Sequence, residues 1–158
     1  LDVAVKKVVK KFAPQFIGRH ISLHIEQIED SVCTDSKWLG FIIEQLISNA
    51  VKYSKDGGSV RIYTLHGSDG IKKNSKDDSL QLVIEDTGIG ISEEDIPRIM
   101  ERGFTGYNGR LDKKSSGIGL YLCRKAADRL GFVITYDASY KNGTRVLLDM
   151  TQRYTKHE

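Results

Sequence analysis

Asp86 opens the sequence DTGIG, a carboxylate followed at once by Gly88 and Gly90. A carboxylate at a corner of bare backbone can accept a hydrogen bond from an exocyclic amine, and glycine lets a flat ring come close. The same residues also suit an ordinary strand-turn-helix corner, so the motif alone leaves both readings open. A second set, Gln45, Asn49, Lys52 and Tyr53, interrupts an apolar helical face at offsets of three and four. An asparagine among apolar positions is costly unless it is paired. That stripe is either solvated or ligand-facing, with an amide oxygen and a cation side by side. A third set, Arg102, Arg110, Lys113 and Lys114, lies with Phe104 and Tyr107 in a polar segment, residues 101–116, that holds three glycines. Segments of this length inside a domain are usually lids or disordered loops. Gly117 and Gly119 then begin GIGLYL, where open helix N–H groups favour an anion.

Recognisable elements must position these sets. Leu80, Leu82 and Ile84 alternate with Gln81, Val83 and Glu85, the period of a strand that delivers Asp86. Ser92 suits the N-cap of a short helix near 96–100, with Asp95 as a weak capping box. Thr34 or Asp35 can cap a long helix running to about Tyr53, with Trp38, Leu39, Ile42, Ile43, Leu46, Ile47 and Ala50 on its buried face. Residues 1–17 form a leading helix, with Val5, Val8, Val9, Phe12 and Phe16 inward and Lys6, Lys7, Lys10 and Lys11 opposite. Residues 19–28 and 59–66 alternate as strands. The second joins the Asp86 strand through a polar loop, 67–78, as an antiparallel hairpin. Ser115 or Ser116 caps a helix that Gly131 closes. Residues 132–138 and 144–150 are strands with Asn142-Gly143 as their turn, and 151–158 is a frayed tail.

Composition narrows the class. The chain has 158 residues, 39% of them hydrophobic, which suits one domain with a real core. A net charge of +3, from 24 basic and 21 acidic residues, does not suggest a nucleic-acid binder. Cys33 and Cys123 are in no CxxC pattern and fall in apolar surroundings, as expected of buried free thiols in a reducing compartment. No His, Cys or acidic cluster has metal-ligand spacing, and His20 and His24 read as surface strand residues. No run of about 18 apolar residues occurs, and the first residues carry too many lysines for a signal peptide, so a soluble segment is expected. It opens inside a helical pattern without a methionine, as expected of a piece of a longer protein. There is no Walker A sequence, GIGLYL lacks the third glycine of a dinucleotide fingerprint, and no nucleophile elbow is present.

The order ISNAVKY, DTGIG, basic lid, SSGIGL, NGT resembles the GHKL ATPase superfamily of gyrase B, Hsp90, histidine kinases and MutL. Within it, the chain resembles the catalytic ATP-binding domain of a bacterial sensor histidine kinase. The resemblance implies an α/β (α+β) two-layer sandwich: a mixed, mostly antiparallel sheet, helices on one face, and a flexible lid over residues 101–116. It implies one domain over 1–158 that binds ATP and Mg2+. Asn49 stands where the family holds Mg2+, Lys52 where it contacts phosphate, and Tyr53 where it packs near adenine and ribose. Asp86 matches the acceptor for the adenine amine, and Gly88 and Gly90 the first glycine box. Phe104 resembles the aromatic of the F box. Ser116, Gly117, Ile118, Gly119 and Leu120 match the second glycine box, and Thr144, after Gly143, the third. Arg102, Arg110, Lys113 and Lys114 are candidates for the triphosphate. Asn49, Lys52 and Gln45 form the implied catalytic set.

Three departures from the family pattern carry meaning. Gln45 stands where gyrase and Hsp90 relatives carry a water-activating glutamate and many histidine kinases carry Asn; an amide cannot act as a base, so slow hydrolysis is expected. Ser115 replaces the usual first glycine of the second box. The lid sequence ERGFTGYNGR resembles that of small Gram-positive kinases that sense cell-wall-active peptides alongside a transporter. None of His20, His24, His66 and His157 has the phosphoacceptor context of such kinases. The implied partners are therefore a dimerisation segment carrying that histidine and a response regulator, with no nucleic acid. The full-length protein is then a membrane-bound homodimer with this domain in the cytoplasm. An anti-sigma-type serine kinase of the same fold and a non-catalytic nucleotide-binding module are the alternatives.

Overall fold

Period-two alternation sets the sheet. In the computed structural model, which describes residues 1–67, 79–101 and 118–151, the strands are β1 (Ser22–Ile25), β2 (Ser59–His66), β3 (Leu80–Asp86), β4 (Val133–Tyr136) and β5 (Thr144–Asp149). They form one five-stranded sheet in the order β1-β2-β3-β5-β4. Among the described residues, β1 and β2 alone pair in parallel; the other pairs are antiparallel. The expected β2–β3 hairpin is present, from Val60 opposite Asp86 to His66 opposite Leu80.

Three helices complete the described chain: α1 (Asp2–Gly18), α2 (Ser36–Tyr53) and α3 (Ile118–Leu130). Asp35 caps α2, its side chain accepting from the N–H groups of Lys37 and Trp38 at 2.9 and 3.1 Å. Gly131 ends α3 with a φ of 74°. Helix α2 lies at the centre, packed against α1, α3 and β3. Its Ile42, Ile43 and Ile47 are buried with Ile62, Leu82, Ile84 and Leu148 of the sheet. Each such side chain contributes about 1.5–3 kcal/mol of hydrophobic stabilisation, so this layer dominates the fold. The architecture is the expected mixed, mostly antiparallel sheet with helices on one face.

Four local expectations are corrected. Strand β1 is shorter than 19–28, because His20 takes a left-handed φ of 54° and extended backbone cannot start before it. The helix near 96–100 is a single 3-10 turn, Ile96–Arg98, with Pro97 inside it; Ser92 Oγ still accepts from Asp95 N at 3.3 Å. Trp38 is 39% exposed, since the first turn of α2 projects past the core, and its ring meets Phe41 edge-on at 6.2 Å. Cys33 is exposed while Cys123 is buried. The alternation that sets Val32 against the core leaves Cys33 on the other side.

Burial also pushes the Cys123 thiol up to about 12, which keeps it an unreactive core group. A thiol reagent at neutral pH should therefore modify Cys33 in the native protein and Cys123 only after denaturant is added. Rapid labelling of both thiols without denaturant would contradict this packing.

Candidate functional site

The last turn of α2 is held from an unexpected direction. Arg19, just beyond α1, donates through its guanidinium to the carbonyls of Val51 and Ser54, and its Nε meets Asp56 Oδ1 at 2.8 Å. Carbonyls at a helix C-terminus lack helical partners and carry partial negative charge, so a guanidinium there satisfies both needs. This fixes the turn that carries Lys52 and Tyr53. Sequence spacing offers no sign of the contact, because the partners are more than thirty residues apart. Along α2, Gln45, Asn49, Lys52 and Tyr53 are all half-buried, and Lys52 Nζ lies 5.2 Å from the Tyr53 ring centroid.

The DTGIG loop packs directly on that helix end. Ile89 N donates to Tyr53 O at 3.3 Å. A Cβ on Gly88 would stand 2.1 Å from Tyr53 O, so only glycine lets strand end and helix end meet. From the other side, Gly143 closes in: a Cβ there would stand 2.0 Å from Asp86 O, and its φ of 154° also suits glycine. Asp86 is 4% exposed, with Thr144 opposite it in the β3–β5 register. Its Oδ1 accepts from Gly88 N at 2.8 Å and Thr144 N at 3.3 Å. Its Oδ2 has no protein hydrogen bond among the described residues. Burial raises the Asp86 carboxyl to about 6, against the opposing pull of those two N–H groups.

Further along α2, Gln45 meets the start of α3: a Cβ on Gly119 would stand 2.6 Å from Gln45 Oε1. Helix rise puts this contact about 12 Å from the Tyr53–Gly88 contact along α2. The structure thus brings Gln45, Asn49, Lys52 and Tyr53 on one helix between two glycine contacts, with Asp86 and Thr144 at one end and Gly119 at the other. Ile118 and Leu120 flank Gly119 on α3. Arg102, Phe104, Arg110, Lys113, Lys114, Ser116 and Gly117 lie outside the described residues. Among the described residues, no group of His, Cys, Asp and Glu could hold a metal by itself.

A cavity of about 320 Å³ opens between the DTGIG loop and the β4–β5 hairpin. Gly90 and Thr144 line it with Ile91, Ile96 and Tyr136, while no residue of α2 or α3 does. Tyr136 went unnoticed in the sequence. Its burial raises the phenol pKa far above the ordinary value, with Cys123, Asp86 and Tyr53 adding smaller electrostatic contributions in the same direction. The signal available was its place two residues after Ile134 on the inward side of a strand.

This fold and site define a GHKL-type α/β sandwich. The sequence model of the histidine kinase-, DNA gyrase B- and HSP90-like ATPases matches residues 34–153. The chain belongs to that family, the one indicated by the order of its motifs. It is 36% identical over 144 residues to the sensor protein BceS of Bacillus subtilis (strain 168), covering 91% of this chain and 40% of that protein. It is 40% identical over 122 residues to the sensor protein kinase GraS of Staphylococcus aureus (strain JH1), covering 77% of this chain and 32% of that one. The chain therefore spans well under half the length of these relatives. Among solved structures, a mycobacterial sensor histidine kinase, MprB, superposes with a TM-score of 0.77 at 23% identity, over 98% of this chain and 97% of that one. Among the described residues, no helix is long and apolar enough to cross a membrane.

The Asp86 shift has a definite sign in stability. The folded state holds the proton more tightly than the unfolded chain, where the carboxyl titrates near 3.8. Relative to a non-titrating Asp86→Asn variant, the parent should be most stable below about pH 4 and lose up to about 3 kcal/mol as the pH rises through about 6. Denaturation midpoints of both proteins across that range, with NMR titration of the carboxyl carbon, check the magnitude and the direction.

Proposed function

We propose that this chain binds Mg-ATP and presents its γ-phosphoryl group to a histidine on a separate dimerisation segment of the same kinase. The observation that carries the reading is the Asp86 carboxylate. One oxygen is fixed by two backbone N–H groups, and the other has no protein partner among the described residues. Such an acceptor suits adenine, which presents an amine where guanine presents a carbonyl. Tyr53 and the bare backbone of Gly88 and Gly90 lie beside it for a flat ring. The opposite end of the stripe, where Gln45 meets Gly119, suits the phosphates.

ATP carries about four negative charges, which need cations and backbone donors. Lys52 and the N–H groups at the start of α3 suit this, with Arg102, Arg110, Lys113 and Lys114 as the lid candidates for the remainder. Asn49 offers an amide oxygen on the half-buried face of α2, a hard ligand suited to Mg2+ bound mainly by phosphate and water oxygens. When bound, the ion offsets charge on the transferring group. The imidazole nitrogen of the partner histidine attacks the γ-phosphorus in line, the bond to the bridging oxygen breaks, and ADP leaves. Gln45 orients and cannot take a proton from water, so the chain alone turns over little ATP. A response-regulator aspartate then receives the phosphoryl group. The complete protein is read as a membrane-bound homodimer with this domain on the cytoplasmic side.

Calorimetry tests the base reading: Asp86→Ala should lose at least about tenfold in ATP affinity, the value of one buried hydrogen bond to a charged group. Equal binding by parent and variant overturns it. Mixing the chain with a separately made dimerisation segment and γ-labelled ATP should transfer label to that segment's histidine. Rapid hydrolysis by the isolated chain would instead favour a gyrase-like ATPase.

A further inference from the structure

The outer face of the sheet, away from the helices, carries a buried charge where solvent would be expected. Glu85 lies on that face by alternation, between Ile84 and Asp86, yet it is only 7% exposed. In register it stands opposite Arg61 of β2 on one side and Arg145 of β5 on the other. Its Oε1 accepts from Arg145 Nε at 2.8 Å and from the Tyr63 hydroxyl. Arg61 approaches Oε2 at 4.0 Å and also donates to Glu26. Tyr63 is itself buried, and its phenol is pushed up to about 12 by that burial and by its bond to Glu85.

Arg145 extends the row to the β4–β5 hairpin. Its NH1 meets Asp137 Oδ2 at 3.0 Å, and its guanidinium lies 4.4 Å from the Tyr140 ring centroid. The Tyr140 hydroxyl in turn reaches Asp86 O at 3.5 Å. The next row along the same strands is Val60, Asp86, Thr144. The charged row therefore sits immediately behind the acceptor, on the opposite side of the sheet.

A buried carboxylate is an expensive way to fill a strand position, and exposed ion pairs add little stability. What this row does supply is lateral definition. It pins β3 to β5 one residue from the place where Thr144 N reaches Asp86 Oδ1. At 3.3 Å that bond is already long, so a small slip of β5 would break it. The row also holds the hairpin that presses Gly143 against Asp86 O and Gly88 N.

We propose that Glu85, Tyr63 and Arg145 form an outer-face clamp that positions the Asp86 acceptor, with Arg145 as its central positioning residue. The clamp is a statement about Asp86 and Thr144 in the nucleotide-free protein; its consequence for base selection rests on the reading of Asp86 as the adenine acceptor. Glu85 and Tyr63 do not line the cavity between the DTGIG loop and the β4–β5 hairpin, whereas Arg145 does, next to Thr144. Their effect passes through backbone register.

Two measurements decide it. In the free protein, Arg145→Ala should speed hydrogen exchange of the Gly88 and Thr144 amides by about tenfold, the loss expected when one supporting hydrogen bond goes. Amides of α2 and β1 should not change, and Arg145→Lys, which keeps a cation beside Glu85, should restore part of the protection. Unchanged exchange at Gly88 and Thr144, or an equal rise at all amides, overturns the clamp. The second measurement compares ATP with purine riboside triphosphate, which lacks the exocyclic amine. The parent should prefer ATP, and Arg145→Ala should lose most of that preference while binding the analogue almost as before. An equal weakening for both nucleotides overturns the link to base selection. A parent that binds both equally sinks the Asp86 base reading, and the exchange result still decides the clamp. Should Arg145→Ala not fold, Glu85→Gln is measured in the same two ways, with the same direction and a smaller size.

Discussion

The structure turns on one carboxylate oxygen. Asp86 Oδ1 is held by an N–H from its own turn and an N–H from the neighbouring strand. Those bonds fix the end of β3 relative to the DTGIG loop and to β5 at once. They also offset the cost of burying a charge, and only in part, since the carboxyl remains well above its ordinary value. The glycines around it follow from this. Gly88 must let the end of α2 come close, and Gly143 must let the hairpin do so, because the acceptor is framed by backbone on both sides.

Around that point the molecule divides its labour by element. The sheet supplies a stiff mount, buried on its inner face by Ile62, Leu82, Ile84 and Leu148. Helix α2 is the measure of the site. It meets the DTGIG loop at Tyr53 and Gly119 of α3 at Gln45, so a ligand spanning the two contacts must be elongated and have unlike ends. The structure of a mycobacterial sensor histidine kinase, MprB, shares this fold. The chain's own side chains then determine what is done with it. Position 45 carries an amide, which has no basic site for a proton.

Local signals made much of this legible in the sequence. The Asp35 cap, the alternation of β2 and β3, and the glycines of DTGIG each act within a few residues of themselves, and each appears where expected. Long-range pairings did not announce themselves. Alternation placed Glu85 on an outward face, and the residues that bury it come from other strands. Arg19 looked like the start of a strand, yet its partners are the last carbonyls of α2. Cys33 and Trp38 look like core residues by type and neighbourhood, but both fall at edges where the packed layers stop. The Mg2+ and lid assignments depend on family position, because no residue pattern by itself distinguishes a lid cation from a solvated one.

Arg19 gives α1 a mechanical role. Its side chain grips the carbonyls of Val51 and Ser54, and its own carbonyl accepts from Gly57 N at 3.0 Å. The seventeen residues of α1 make a rod of about 25 Å whose end is fastened to the C-terminal tip of α2. Turning that rod about its axis must either carry the tip of α2 along or tear the guanidinium from carbonyls that have no other helical partner. Arg19 is therefore a direct polar link between α1 and the turn that bears Lys52 and Tyr53.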